Sequence, residues 1–430
     1  MIEDTTYEKN VYVQHVDCVV RAKCFSDVSY DVALNLPRGD WYSGCVDVSF
    51  KVTELPNTDC FLDFRGIQIA HYVINDEPVE LNADVFRNHH VTLPSGHLRV
   101  GETNTARIFF LNKYRKDGVG LHSFIDKVDG GQYIYTQFET DFCHYVFPCF
   151  DQPDLKATWR FQCATTSDWT IMSNEAEIDG PESDSAALEA RCTKATQLFS
   201  ATSNTEPTDK KFVFFDESFR ISTYLYAIVA GPFGYHERQT EGFPLMRIYA
   251  RQSLVADVNH EEMFNVTEAG MSFYKDFFGQ PYPFRKYDQV FVPEHICGAM
   301  ENVGCVTYNE NYMYRGQTPT LAKRLRFSIT NLHELAHMWF GNLVTMTWWN
   351  DLWLNESFAT FMSFLAMSRS PRLEHYHATC WVTFLQYKFW GVSKDCLSST
   401  HPICCEIVAT DQADSLFDGI SYGKGSAFLK

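Results

Sequence analysis

Hydrophobic and polar residues alternate through much of the first half of the chain. Val46, Val48, Phe50 and Val52 are separated by Asp47, Ser49 and Lys51, the period of two that turns one strand face to a core and the other to water. Shorter runs of this kind at residues 63–72, 106–111, 132–138 and 212–215, with turn residues between them, predict a sheet-rich region. Residues 224–230 are apolar enough to read as one buried strand. Residues 175–211 contain Gly180-Pro181 and many Ser, Thr and Asp side chains, a composition that predicts an inserted surface loop.

After Gly231-Pro232 the period changes. Leu321, Leu325, Ile329, Leu332, Ala336 and Trp339 recur at helical spacing, with Thr318-Pro319 as a start signal and Gly341 as a stop. Phe358, Phe361, Met362 and Leu365 mark a second helix, which Pro371 ends. The expected architecture is multidomain, β followed by α/β. A sheet-rich saddle or sandwich domain spans residues 1–235, and a mainly helical domain spans 236–430.

Composition narrows the field of functions. The chain has 430 residues, 45% of them hydrophobic and 15% aromatic, ample core for two or three domains. Its net charge of −18 opposes nucleic acid and anionic lipid as partners, because both repel it. The first ten residues are polar and acidic rather than basic and then apolar, unlike a secretory signal. No apolar run approaches the ~20 residues of a spanning helix. The expectation is a cytoplasmic protein without membrane insertion, in which the 14 cysteines stay reduced.

Candidate chemistry lies on the first of the two predicted helices, in His333-Glu334-Leu335-Ala336-His337. Imidazoles four residues apart share a helix face and can reach one ion. Glu334 falls beside that ion, where it could take a proton from an attacking water. The same pattern could also arise by chance on an amphipathic helix. Eighteen residues separate His337 from Glu356, which lies in Trp353-Leu354-Asn355-Glu356-Ser357 at the opening of the second helix. Two antiparallel helices would return Glu356 to the histidines and complete a His₂Glu set, one of the known catalytic zinc sets. Glu356 would also suit the first turn simply as a carboxylate facing the helix dipole.

Several motifs together give the chain a family likeness. Gly298-Ala299-Met300-Glu301-Asn302, the His333–His337 segment with Glu356, Tyr135-Thr136-Gln137-Phe138-Glu139 followed by residues 147–153 (FPCFDQP), and residues 417–425 (FDGISYGKG) occur in order. In this the chain resembles the aminopeptidase N family of zinc metallopeptidases, the gluzincin group. The resemblance implies a thermolysin-like catalytic domain and an enzyme acting on peptides with a free N-terminus. It implies one zinc per chain on His333, His337 and Glu356, with Glu334 as general base. Glu301 and Glu139 would bind the substrate ammonium, Gly298, Ala299, Met300 and Asn302 would flank the bound peptide, and Tyr422 would donate to the oxyanion. Ser357 departs from the glycine common after the ligand glutamate. Family members typically continue well past the tyrosine motif, so the catalytic domain is expected to be truncated here. Two other functions compete: a non-catalytic peptide-binding fragment, and the related branch that opens a lipid epoxide. Glu139 speaks against the second, since glutamine tends to occupy that position there.

Overall fold

The alternation at residues 46–52 becomes the strand Trp41–Val52 in the computed structural model, which describes residues 1–4, 12–55, 60–178, 184–315 and 318–430. Val46, Val48, Phe50 and Val52 are buried, while Asp47, Ser49 and Lys51 face outward. The described residues fall into two compact units, Met1–Pro232 and Phe233–Lys430.

Sheets dominate the first unit. The largest runs in the order Ile2–Glu3, Gln68–Ile74, Thr103–Lys113, Trp41–Val52, Phe25–Leu36, Thr158–Thr166 and Lys210–Phe214, with Glu77–Pro78 beside Gln68–Ile74. Its pairings are antiparallel except that of Phe25–Leu36 with Thr158–Thr166. A four-stranded sheet joins Gly120–Ile125, Gln132–Gln137, Ile228–Gly231 and Thr170–Ser173, and a three-stranded one joins Cys60–Asp63, His90–Leu93 and Phe86–Arg87.

Four local expectations are corrected here. The run at 63–72 is not one strand: Cys60–Asp63 and Gln68–Ile74 belong to different sheets. Residues 224–230 split into a 3-10 turn, Thr223–Leu225, and the strand Ile228–Gly231. The segment 175–211 is not simply a loop, because it carries a helix, α2 (Ser185–Phe199), in addition to α1 (His15–Cys24) earlier in the chain. Leu188, Cys192, Ala195 and Phe199 of α2 are buried at helical spacing, and the Asp184 carboxylate accepts from Ala187 N at its start. Polar residues between those positions dilute the period. Gly180-Pro181 lies outside the described residues. The fourth correction concerns a helix start. The cap of the 321–337 helix is Thr320, whose hydroxyl accepts from Lys323 N, not Thr318.

The second unit opens with a sheet that its hydropathy hides. Its order is Phe233–Arg238, Leu245–Arg251, Lys286–Val292, Cys305–Asn309 and Ala299–Met300. Every residue of Lys286–Val292 is buried, polar ones included, and Lys286 Nζ donates to Asp288 Oδ2 at 2.7 Å. A strand covered on both faces shows no alternation. Helices then dominate: α3 (His260–Phe278), α4 (Leu321–His337), α5 (Leu352–Arg369) and α6 (His377–Asp395). Leu325, Ile329, Leu332 and Ala336 of α4 enter one core with Met263, Phe264 and Tyr274 of α3 and Ala359, Met362 and Leu365 of α5. The result is a sheet-rich N-terminal part followed by a helical C-terminal part. Among the described residues no helix is long and apolar enough to cross a membrane.

Candidate active site

The last turn of α4 and the first turns of α5 meet at three donor atoms. His333 and His337 are one helical turn apart, and their Nε2 atoms lie 3.0 Å from each other. Glu356 Oε2 is 3.1 Å from His333 Nε2 and 3.7 Å from His337 Nε2. Donors ~2.0–2.2 Å from a tetrahedral ion sit about 3.3–3.6 Å apart, and these spacings bracket that range. Two imidazole nitrogens and a carboxylate oxygen form a set that suits zinc, so the residues fit the metal.

Both imidazoles are oriented by their other nitrogen. His337 Nδ1–H donates to Phe340 O at 3.1 Å, and His333 Nδ1 meets the Thr360 hydroxyl at 3.3 Å. The carbonyl, which can only accept, leaves the His337 Nε2 lone pair for a cation, and the Thr360 hydroxyl can orient the His333 ring in the same way by accepting from its Nδ1–H. Gly341 makes the first contact possible. Its φ of +130° turns the chain back after α4, and a Cβ there would lie 3.1 Å from His337 Nδ1.

Two more carboxylates are buried here. Glu334, Glu301 and His337 present atoms within 4.8 Å of one another. Glu334 and Glu301 are both buried, and Glu301 Oε1, 3.9 Å from His337 Nδ1, has no hydrogen-bond partner. Glu301 lies just beyond the edge strand Ala299–Met300, and its backbone is held by Asn342, whose Nδ2 donates to Glu301 O at 2.8 Å. Gly298 admits the Tyr312 hydroxyl, 2.8 Å from where a Cβ would stand. The Asn302 amide reaches Thr307 Oγ1 on the adjacent strand at 3.4 Å.

Crowded acids shape the electrostatics. Burial, together with the charge of Glu301, holds the Glu334 carboxyl well above its usual range. Burial likewise raises Glu301, partly offset by His337. Burial would raise Glu356 too, but the charge of His337 and hydrogen bonds from both imidazoles hold it below the ordinary carboxylate range. Burial lowers His333. It would lower His337, yet the charges of Glu301 and Glu356 carry that group up to about 10. Three buried acids demand positive charge, which a cation held by the three donors would supply.

Tyr422 lies on the π-helical stretch Ile420–Lys424 with its ring 5.9 Å from the His333 ring. The second unit therefore brings together His333, His337, Glu356, Glu334, Glu301 and Tyr422, with Gly298, Ala299, Met300 and Asn302 around Glu301. Glu139 belongs to the first unit, on the turn after Gln132–Gln137. Sequence reading did not find Thr360, Asn342 or the Phe340 carbonyl. Thr360 could have been found, because it sits four residues after Glu356 and so shares its helix face.

Comparison with known proteins decides the family. The Peptidase M1 N-terminal domain matches residues 26–225 and the Peptidase family M1 domain matches residues 262–430. The chain belongs to the M1 peptidase family. Aminopeptidase N of Streptomyces lividans is 37% identical over 418 residues, 95% of this chain and 44% of that protein. Aminopeptidase M1-D of Oryza sativa subsp. japonica is 37% identical over 302 residues, 69% of this chain and 30% of the relative. Tricorn protease-interacting factor F2 of Thermoplasma volcanium is 32% identical over 311 residues, 71% and 35% of the two chains. This M1 chain thus spans less than half the length of these relatives.

Proposed function

We infer that this M1 chain carries the catalytic centre of a zinc-dependent aminopeptidase that removes N-terminal residues from peptides. The observation that carries the reading is the convergence of His333, His337 and Glu356 beside two further buried carboxylates. His333, His337 and Glu356 would hold one zinc per chain, and zinc bound there polarises the scissile carbonyl and acidifies the attacking water.

The chain's own residues do the rest. Glu334 is not one of the three donors, so its carboxylate is available to take the proton from water and pass it to the departing amine. Glu301 Oε1, buried without a hydrogen-bond partner, pairs with the substrate α-ammonium in a charge-assisted hydrogen bond. Glu139 is the candidate second anchor for that amine, on motif grounds. Ala299–Met300 is an edge strand, so the 298–302 segment can receive the peptide as an added strand. The Tyr422 hydroxyl donates to the oxyanion.

The test is hydrolysis of an aminoacyl fluorogenic amide by the chain, with zinc analysis before and after chelation. The expected outcome is about one zinc per chain, turnover that chelation abolishes and zinc restores, and little cleavage of the N-acetylated substrate. Peptide binding without hydrolysis would instead favour the non-catalytic reading. Efficient cleavage of blocked peptides would make the chain an endopeptidase.

A further inference from the structure

Ser357 follows the candidate ligand Glu356 on α5 and is fully buried. Its hydroxyl leaves its own helix and donates to the carbonyl oxygen of Ser421 at 2.5 Å. Ser421 immediately precedes Tyr422. One hydrogen bond therefore joins the residue after a candidate metal ligand to the residue before the candidate oxyanion donor.

Tyr422 stands between two rings, His333 and Trp390, each with its centroid 5.9 Å away. Toward α6 the π-helical stretch rests on backbone. A Cβ on Gly423 would lie 2.2 Å from Tyr387 O, and Lys424 Nζ bonds Asp395 Oδ1 at 2.8 Å. Toward α5 the approach is equally close, since a Cβ on Gly425 would lie 1.9 Å from Ser357 Oγ. A side chain at 425 would evict the hydroxyl. A π-helical bulge is wider than an α-helix and is found mostly where function repays its poorer hydrogen bonding.

We propose that Ser357 is a positioning residue, whose hydroxyl sets the Tyr422 segment against the ligand-bearing helix and so fixes the reach of the Tyr422 hydroxyl toward the reacting carbonyl. The proposal rests on the reading of Tyr422 as oxyanion donor. A donor of this kind works through preorganisation, and a misplacement of about 1 Å can cost on the order of 100-fold in rate.

Two measurements on Ser357→Ala test it. Hydrogen exchange of backbone amides 417–427 needs no turnover, and it is expected to be faster than in the unaltered chain while the amides of α4 keep their protection. With zinc bound, kcat is expected to fall roughly 10- to 100-fold with KM within about twofold and zinc content unchanged. In a Tyr422→Phe background the same change should cost less than about twofold, because the group being positioned is already gone. Unaltered exchange at 417–427 would overturn the proposal, as would losses that multiply in the double variant. If the unaltered chain fails to hydrolyse the amide, or Tyr422→Phe matches it, the aminopeptidase reading fails, and the exchange comparison still decides whether Ser357 holds the segment.

Discussion

Glu334 and His333 are neighbours in sequence with different assigned duties, and a single substitution can separate them. Glu334→Gln keeps volume and removes the proton acceptor. Zinc content should stay as in the unaltered chain while turnover falls ~10²–10⁴-fold, the usual worth of a general base; near-normal turnover would remove Glu334 from that role. A different residue pair governs pH in the first unit. Burial would lower His144, but its hydrogen bond to Asp151 (2.9 Å) and the Asp151 charge hold it above its ordinary value. The folded state therefore prefers the protonated ring. Its stabilising contribution is complete below the unfolded value of about 6.5 and is lost as pH rises through the raised folded value. The stability gap between the unaltered chain and His144→Gln, followed by denaturant unfolding, should narrow as pH increases. A gap that widens would mean that His144 is buried neutral.

Elements deliver these residues through packing that leaves little slack. α3 presses on α4 at Gly270, where a Cβ would lie 2.6 Å from Leu332 Cδ2 and 2.7 Å from Leu335 Cδ2. Those leucines flank His333 and Glu334 along α4. Gly270→Val must push α4 aside, at roughly 1–3 kcal/mol for overpacking. A lower melting temperature and weaker zinc retention against a chelator are expected together. Lost stability with unchanged zinc retention would show that α4 holds its place while α3 yields. Just past that same end of α4, the turn through Gly341 returns Phe340 O to His337 and Asn342 to Glu301. One short segment thus orients a candidate ligand and the candidate amine anchor.

Across the whole molecule, the acidic surface and one apolar stripe act in opposite directions. A charge of −18 disperses copies of the chain. Val382, Leu385, Phe389 and Val392 nevertheless lie exposed at helical spacing along α6, Val382 and Phe389 by 65% and 68%. Apolar surface of this kind in water drives association. Replacing Val382 with Lys and Phe389 with Glu should raise the monomer fraction in sedimentation at high protein concentration, with little change in melting temperature because neither side chain enters the core. An unchanged monomer fraction would place the cause of association elsewhere.

Sequence alone determined what local spacing can encode. The i, i+4 histidines, the distal Glu356 and the apolar period of α4 and α5 are consequences of helix geometry, so they could be read without coordinates, as could the half-buried strand Trp41–Val52. The strand Lys286–Val292 could not, because burial on both faces erases alternation and its polar residues find partners only in the fold. Nor could α2, whose polar residues hid its period. The motif around residue 301 was legible, but not the burial of its carboxylate with one oxygen lacking a hydrogen-bond partner, which depends on what α4 and the turn through Asn342 bring to it. The hydroxyl of Ser357 on the carbonyl before Tyr422 joins residues 64 apart. Only tertiary packing decides a contact at that range, because no local period relates its two ends.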